Sequence, residues 1–215
     1  MIKFQVTTSS DGHAVETNGL ADTGYPEFRV RVNNPSLLFE AENFLHFVVD
    51  YLSQTGKKIV SGETLAYGYW LTKFLVGKDG TLEVWEYTPD ATRFVEGATL
   101  TLSYSRDQHT ICAKYRAQFS PPRPDQKVAI SEGVYEGDPV EGVRYPSPEH
   151  MSGWWLTTDR YDGNIQSLKV VHLYHVTSMR PALAQYLALP YGFRFSVAPQ
   201  QEVVRFDQKV VEKKS

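Results

Sequence analysis

Ser120-Pro-Pro-Arg-Pro-Asp125 places three prolines within four positions, and its reading decides how the 215-residue chain is divided. Each proline fixes φ and removes a backbone donor, so neither a helix nor a central strand continues through the stretch. It predicts a boundary: an N-terminal subdomain over 1–120, a proline-rich seam over 121–126 and a C-terminal subdomain over 127–215. Just upstream, Thr99–Ser105 and Thr110–Phe119 read as paired strands across Arg106-Asp-Gln-His109. Before them, Leu65–Val76 and Thr81–Thr88 flank Gly77-Lys-Asp-Gly80, where Asp-Gly between β-rich runs signals a hairpin. Ile2–Val6 and Glu27–Val32 alternate apolar and polar residues, the period of a half-buried strand.

One helix is explicit in this half. From Ser36 to Thr55, Leu37, Leu38, Ala41, Phe44, Leu45, Val48 and Leu52 recur at three and four residues. Asn34 is placed to cap it, Pro35 suits the first turn and Gly56 the exit. Downstream of the seam, Lys127–Ile130, Met151–Thr157, Leu168–Val176 and Gly192–Val197 read as strands, and Arg180–Leu187 as a short helix. The fold class is α+β, with two subdomains, each an antiparallel-rich sheet covered by helix.

Composition sets the outer limits. The hydrophobic share of 41% against 22% charged residues suits a packed domain and excludes disorder. The first residues turn polar by Thr7, too early for a secretory apolar core, and no window is apolar enough to span a membrane. Cys112 is the single cysteine, so no internal disulfide is available. These readings predict a cytoplasmic protein. Net charge is −3 with scattered Lys and Arg, Lys213-Lys214 being the one basic cluster. That argues against direct nucleic-acid binding.

No catalytic arrangement is visible. The chain has neither a Gly-x-Ser-x-Gly elbow nor a glycine-rich phosphate loop. Cys112 falls in a strand-like pattern as an inert thiol. His172 and His175 sit three apart in a β-branched run, a spacing that turns strand side chains to opposite faces and denies a shared metal. Glu83 and Glu86 are separated in the same way. No cofactor or metal is expected. What stands out is Ser131-Glu-Gly-Val-Tyr-Glu-Gly-Asp-Pro-Val-Glu-Gly142, with four carboxylates, no cation and Tyr135 in their midst. The 4 Trp, 13 Tyr and 11 Phe serve a core, a protein-binding surface or a ligand-lined cleft, and composition does not separate these uses. An enzyme or a small-ligand module with a cleft between the halves is the alternative to a binding protein.

Ser152-Gly-Trp154 is followed by the polar turn Asp159-Arg-Tyr-Asp-Gly163 and the run Val170-Val-His-Leu173. Arg180-Pro181, Tyr186-Leu187, Leu189-Pro190 and Gly192-Phe-Arg-Phe195 complete the order. This ordered set, over Met151 to Phe195, resembles the thirty-third family of the bacterial polymorphic-toxin immunity series. It departs from the family pattern after Gly153-Trp154, where an acidic patch is reduced to Asp159 and Asp162 around Arg160. The resemblance implies a non-enzymatic protein of bacterial competition, such as accompanies type VI secretion. Such a protein binds and neutralises a cognate toxin domain encoded by a neighbouring gene. The absence of a secretory core then implies a toxin acting in the cytosol, a nuclease or nucleotide-directed enzyme. Partner-binding candidates are Glu132, Tyr135, Glu136, Asp138 and Glu141, with Trp154, Trp155, Asp159, Tyr161 and Asp162. For the adjacent tryptophans on one strand, one ring is expected inside and one outside.

Overall fold

The computed structural model describes residues 2–212; Met1 and 213–215, including the Lys213-Lys214 pair, lie outside the described residues. By contact density the chain forms two compact units, Met1–Arg106 and Asp107–Ser215. Each contains a mixed, mainly antiparallel sheet with helix, an α+β fold twice.

The first unit holds β1 (Gln5–Thr8), β2 (Ala14–Asn18), β3 (Phe28–Arg31), α1 (Leu38–Thr55), β4 (Thr64–Tyr67), β5 (Trp70–Val76), β6 (Leu82–Tyr87) and β7 (Phe94–Glu96). Its sheet runs β1-β2-β3-β6-β5-β4, with β7 beside β6, and the β3–β6 pair is parallel. The capping signals act as expected. Asn34 Oδ1 accepts from Ser36 N at 3.0 Å, Pro35–Leu37 form a 3-10 turn, and Gly56 closes α1 at φ +65°. The apolar stripe of α1 buries Ala41, Phe44, Leu45, Val48 and Leu52 in a core shared with Phe28, Val30 and Phe74. Phe28 and Phe74 meet edge to face at 5.6 Å, the arrangement favoured by the ring quadrupoles. The predicted strand over Leu65–Val76 is in fact two strands, since Tyr67 pairs with Trp70 across a tight turn at Gly68-Tyr69.

The predicted strand pair at Thr99–Ser105 and Thr110–Phe119 does not form. Residues Thr99–Lys114 form one helix, α2. Thr, Ser and Tyr gave the segment a strand-like composition, but its buried residues Thr101, Leu102, Ser105, Gln108 and Cys112 follow helical spacing. Glu86 starts the helix from β6. Its buried carboxylate accepts from Leu100 N at 2.9 Å, from Thr101 N at 2.6 Å and from Thr101 Oγ1 at 2.8 Å, so three donors that would otherwise lack a partner are met. The division between the units falls inside α2.

The second unit contains β8 (Lys127–Ile130), β9 (Val140–Arg144), β10 (Met151–Thr157), β11 (Lys169–His172), α3 (Leu173–Met179), β12 (Phe193–Ala198), β13 (Gln201–Phe206) and α4 (Gln208–Glu212). Strand order is β11-β8-β10-β9-β12-β13, with β8 and β10 parallel. The predicted strand over Leu168–Val176 stops at His172, after which the chain enters α3. His172 and His175 therefore do not alternate along one strand; their rings lie 5.9 Å apart, beside Tyr174.

One face of this sheet is the core of the unit. Trp154 stands opposite Arg144, and in the next row Leu156 is followed by Gly142, Phe195 and Val204. The 3-10 segment Pro181–Tyr186 covers this face: Tyr186 stacks on Phe195 at 4.7 Å, and Trp154 Nε1 donates to Leu187 O at 3.0 Å. Arg144 is the polar centre. Its guanidinium is buried and has no carboxylate partner among the described residues. It donates to the carbonyls of Ser120 and Leu189 at 2.6 Å, Ser152 at 3.0 Å and Leu187 at 3.3 Å, with the Tyr191 ring 4.9 Å away. Desolvation lowers its pKa to about 10, which leaves it charged at neutral pH. Gly142 is required here, because a Cβ would meet the Phe195 ring. Gly153, at φ +82°, lets its backbone pass Tyr145 O.

Candidate partner-binding surface

The acidic stretch forms the connection between β8 and β9. It is a built turn in which few groups are left to solvent alone. Thr158 Oγ1 donates to Glu132 O at 2.6 Å, Thr158 N to Ser131 Oγ at 3.0 Å, and Asp138 N to Gly133 O at 3.1 Å. Arg180, which ends α3, donates to Val134 O at 2.8 Å and to Asp138 O at 3.2 Å. Val134 is fully buried beneath the turn. A Cβ on Gly133 would collide with Asp138 and Thr158, so the turn closes only around glycine. With its backbone fixed in this way, the loop loses little conformational entropy on meeting a partner.

The four carboxylates of the stretch are not all unpaired, as the sequence suggested. Arg160, from the turn after β10, lies 2.7 Å from Asp138 Oδ2 and 3.4 Å from Glu132 Oε1. Asp138 is the main influence raising the pKa of Arg160, and Glu132 and Glu136 reinforce it. Arg160 read in sequence as a dilution of the acidic patch, and it is the cation that gathers the patch. Glu136 and Glu141 make no ion pair among the described residues and are exposed. Tyr135 is half-buried, and desolvation pushes its phenol upward.

The remaining candidates separate by depth. Trp154 is fully buried, so its ring belongs to the core. Trp155 points to the other face of the sheet, half-buried, with the Tyr145 ring edge-on at 5.8 Å. Asp159 is exposed next to Arg160, and Tyr161 is half-buried, its N–H donating to Thr158 O at 3.1 Å. Asp162 turns away into its own loop, accepting from Asn164 N and Ser167 Oγ at 2.9 Å, bonds that hold it below the usual carboxylate range. The structure thus brings Glu132, Glu136 and Asp138 together around Arg160, with Asp159 exposed as its chain neighbour, and leaves Trp154 and Asp162 apart. Arg180 and Thr158, which shape the loop, have no marker in the sequence, since both act through backbone carbonyls distant along the chain.

Cys112 lies buried in α2, and burial raises its pKa, the reverse of an activated nucleophile. Among the described residues no three His, Cys, Asp or Glu side chains come together as metal ligands would, and no helix is long and apolar enough to cross a membrane.

Residues 107–207 match the family model of the Imm33-like domain, a stretch that takes in almost all of the second unit. The resemblance carried by Met151 to Phe195 therefore extends back through β8 and β9, with the acidic loop between them, to α2. No curated protein and no solved structure gives a match.

Proposed function

We propose, with the Imm33-like domain of residues 107–207 as premise, that this protein binds and neutralises a cognate bacterial toxin, the product of a neighbouring gene. The domain match is the observation that carries the reading. The preformed acidic loop supports it further and suggests a toxin with a cationic surface, as an enzyme acting on nucleic acid or nucleotides in the cytosol would have. Glu136 and Glu141 project charge that Arg160 leaves unpaired, whereas Glu132 and Asp138 maintain the loop. Neutralisation by occlusion asks no chemistry of the chain.

The test is survival of cells expressing the adjacent gene's product with and without this protein, followed by co-purification. Rescue with a one-to-one complex is expected. Toxicity without rescue would remove the proposal, and rescue without a complex would replace it with repair of the damage. Within a complex, Glu136→Lys with Glu141→Lys should slow association about tenfold at low salt, and the difference should shrink as salt is added. Stopped-flow mixing at two ionic strengths reads this directly. An unchanged rate would take the acidic loop out of the contact.

A further inference from the structure

The second sheet has one face under the 3-10 segment and one face without such cover. On the uncovered face a single register row crosses all six strands: Val170 on β11, Ala129 on β8, Trp155 on β10, Val143 on β9, Arg194 on β12 and Arg205 on β13. Four of the six are apolar: Ala129 is buried between its neighbours, Trp155 and Val143 are half-buried, and Val170 at the row's outer end is 57% exposed. The next row adds Glu141 and Val203, the latter 42% exposed. A shallow depression of about 290 Å³ opens between Glu141, Val143, Arg194, Val203 and Arg205.

This row has the make-up of a protein interface: an aromatic anchor beside aliphatic side chains, with charged groups at the rim. Trp155 is pre-positioned by Tyr145, so little rotamer entropy is lost when a partner covers it. Arg205 and Glu141, on opposite sides of the depression, have no ion pair among the described residues. The row spans about 24 Å at the usual strand spacing. Two or three such rows together with the acidic loop approach the roughly 800 Å² per partner of a stable complex.

We infer that the toxin contact runs from the acidic loop across this uncovered face, with Trp155 as its central anchor. The inference rests on the immunity reading and adds the surface to it. The occupant is the toxin domain itself, presenting an apolar ridge to Trp155 and Val143 and a cationic group to Glu141. Charge selects it over a second copy of this chain. The loop beside the face carries Glu132, Glu136, Asp138 and Asp159 against Arg160 and Arg180, and this surplus of negative charge calls for a cationic partner.

The probe is the toxin domain encoded beside this gene, titrated against the full chain by calorimetry, with cell rescue measured in parallel. Trp155→Ala should weaken binding at least a hundredfold, mainly by faster dissociation. Val203→Glu and Val170→Glu, both exposed and tolerable to the fold, should each weaken it about tenfold, with melting temperatures unchanged. Wild-type affinity in all three variants would overturn the inference while leaving immunity intact. Failure of the wild-type chain to bind or rescue would overturn the immunity reading, and the surface with it. Loss of self-association in Val203→Glu, with toxin affinity kept, would overturn the inference by assigning the face to a second copy.

Discussion

The two sheets differ in where they place their charges. In the first unit the face away from α1 is laced together: Arg29 binds Glu16 at 2.9 Å, Asp79 at 2.6 Å and Glu83 at 3.0 Å, and Arg31 binds Glu96 at 2.7 Å. Lys73 lies over the Phe94 ring. A partner approaching this face would have to break bonds the sheet already makes. In the second unit the polar network is on the covered face, around Arg144 and around Glu202. Its uncovered face holds Trp155, Val143, Val170 and Val203, with a single ion pair, Arg194–Asp207 at 3.3 Å, among the described residues. A face whose groups satisfy one another is self-sufficient, and a face whose groups do not is available for a partner.

The contrast is broken most severely at Arg144. Arg144→Leu removes the donor shared by four carbonyls of Ser120, Ser152, Leu187 and Leu189, leaving buried acceptors unmet at a cost of about 3 kcal/mol. Hydrogen exchange should show the amides of β9 and β10 losing protection. Arg144→Lys should recover little, because an ammonium lacks the planar fork that reaches carbonyls on several sides. If Arg144→Leu were neutral, the covered face would depend on apolar packing alone.

Arg29 and Arg205 stand on opposite sides of this difference, the first held by three carboxylates and the second by none among the described residues. Arg29→Ala leaves three carboxylates facing one another and should cost about 1–2 kcal/mol by denaturant unfolding. Arg205→Ala should stay within about 0.5 kcal/mol in stability and act instead on toxin binding. Equal stability losses would erase the distinction between the faces.

Sequence made the locally determined elements far more readable than those set by contacts distant along the chain. The α1 stripe, the Asn34 cap, the hairpin at Gly77–Gly80 and the strands Lys127–Ile130 and Met151–Thr157 are local signals, set by periodicity and turn chemistry, and the structure has them where the residues indicate. The alternation of Trp154 and Trp155, one buried and one half-exposed, follows from strand geometry in the same way. α2 was hidden because its Thr, Ser and Tyr residues mimic strand composition, and because its cap, Glu86, comes from a distant strand. β9 was hidden inside the acidic stretch, where Gly142 reads as a turn but serves to admit the Phe195 ring. Of the candidate surface, the loop carboxylates were legible and Arg160 was not: a charge pair across separate loops depends on the fold, and residue spacing does not reveal it.

A small effect should also appear in acid, at the second unit's covered face. Glu202 on β13 accepts from Lys114 Nζ and Tyr115 OH at 2.5 Å and from Tyr186 OH at 2.7 Å, and these donors hold its carboxyl at about 2. A carboxyl depressed in the folded state stabilises above its unfolded value near 4.5, and that contribution is lost as pH falls toward 2. Because Glu202 is partly exposed, solvent screening should reduce the contribution to about 1 kcal/mol. Glu202→Gln should therefore lower stability slightly at pH 6 and converge with the wild type near pH 2. The Tyr186 phenol, held up by burial and by Glu202, should titrate lower in the variant by ultraviolet absorbance. Parallel stability curves from pH 6 to pH 2 would mean that Glu202 is no more than a surface acceptor, and that the polar anchoring of the covered face is confined to Arg144.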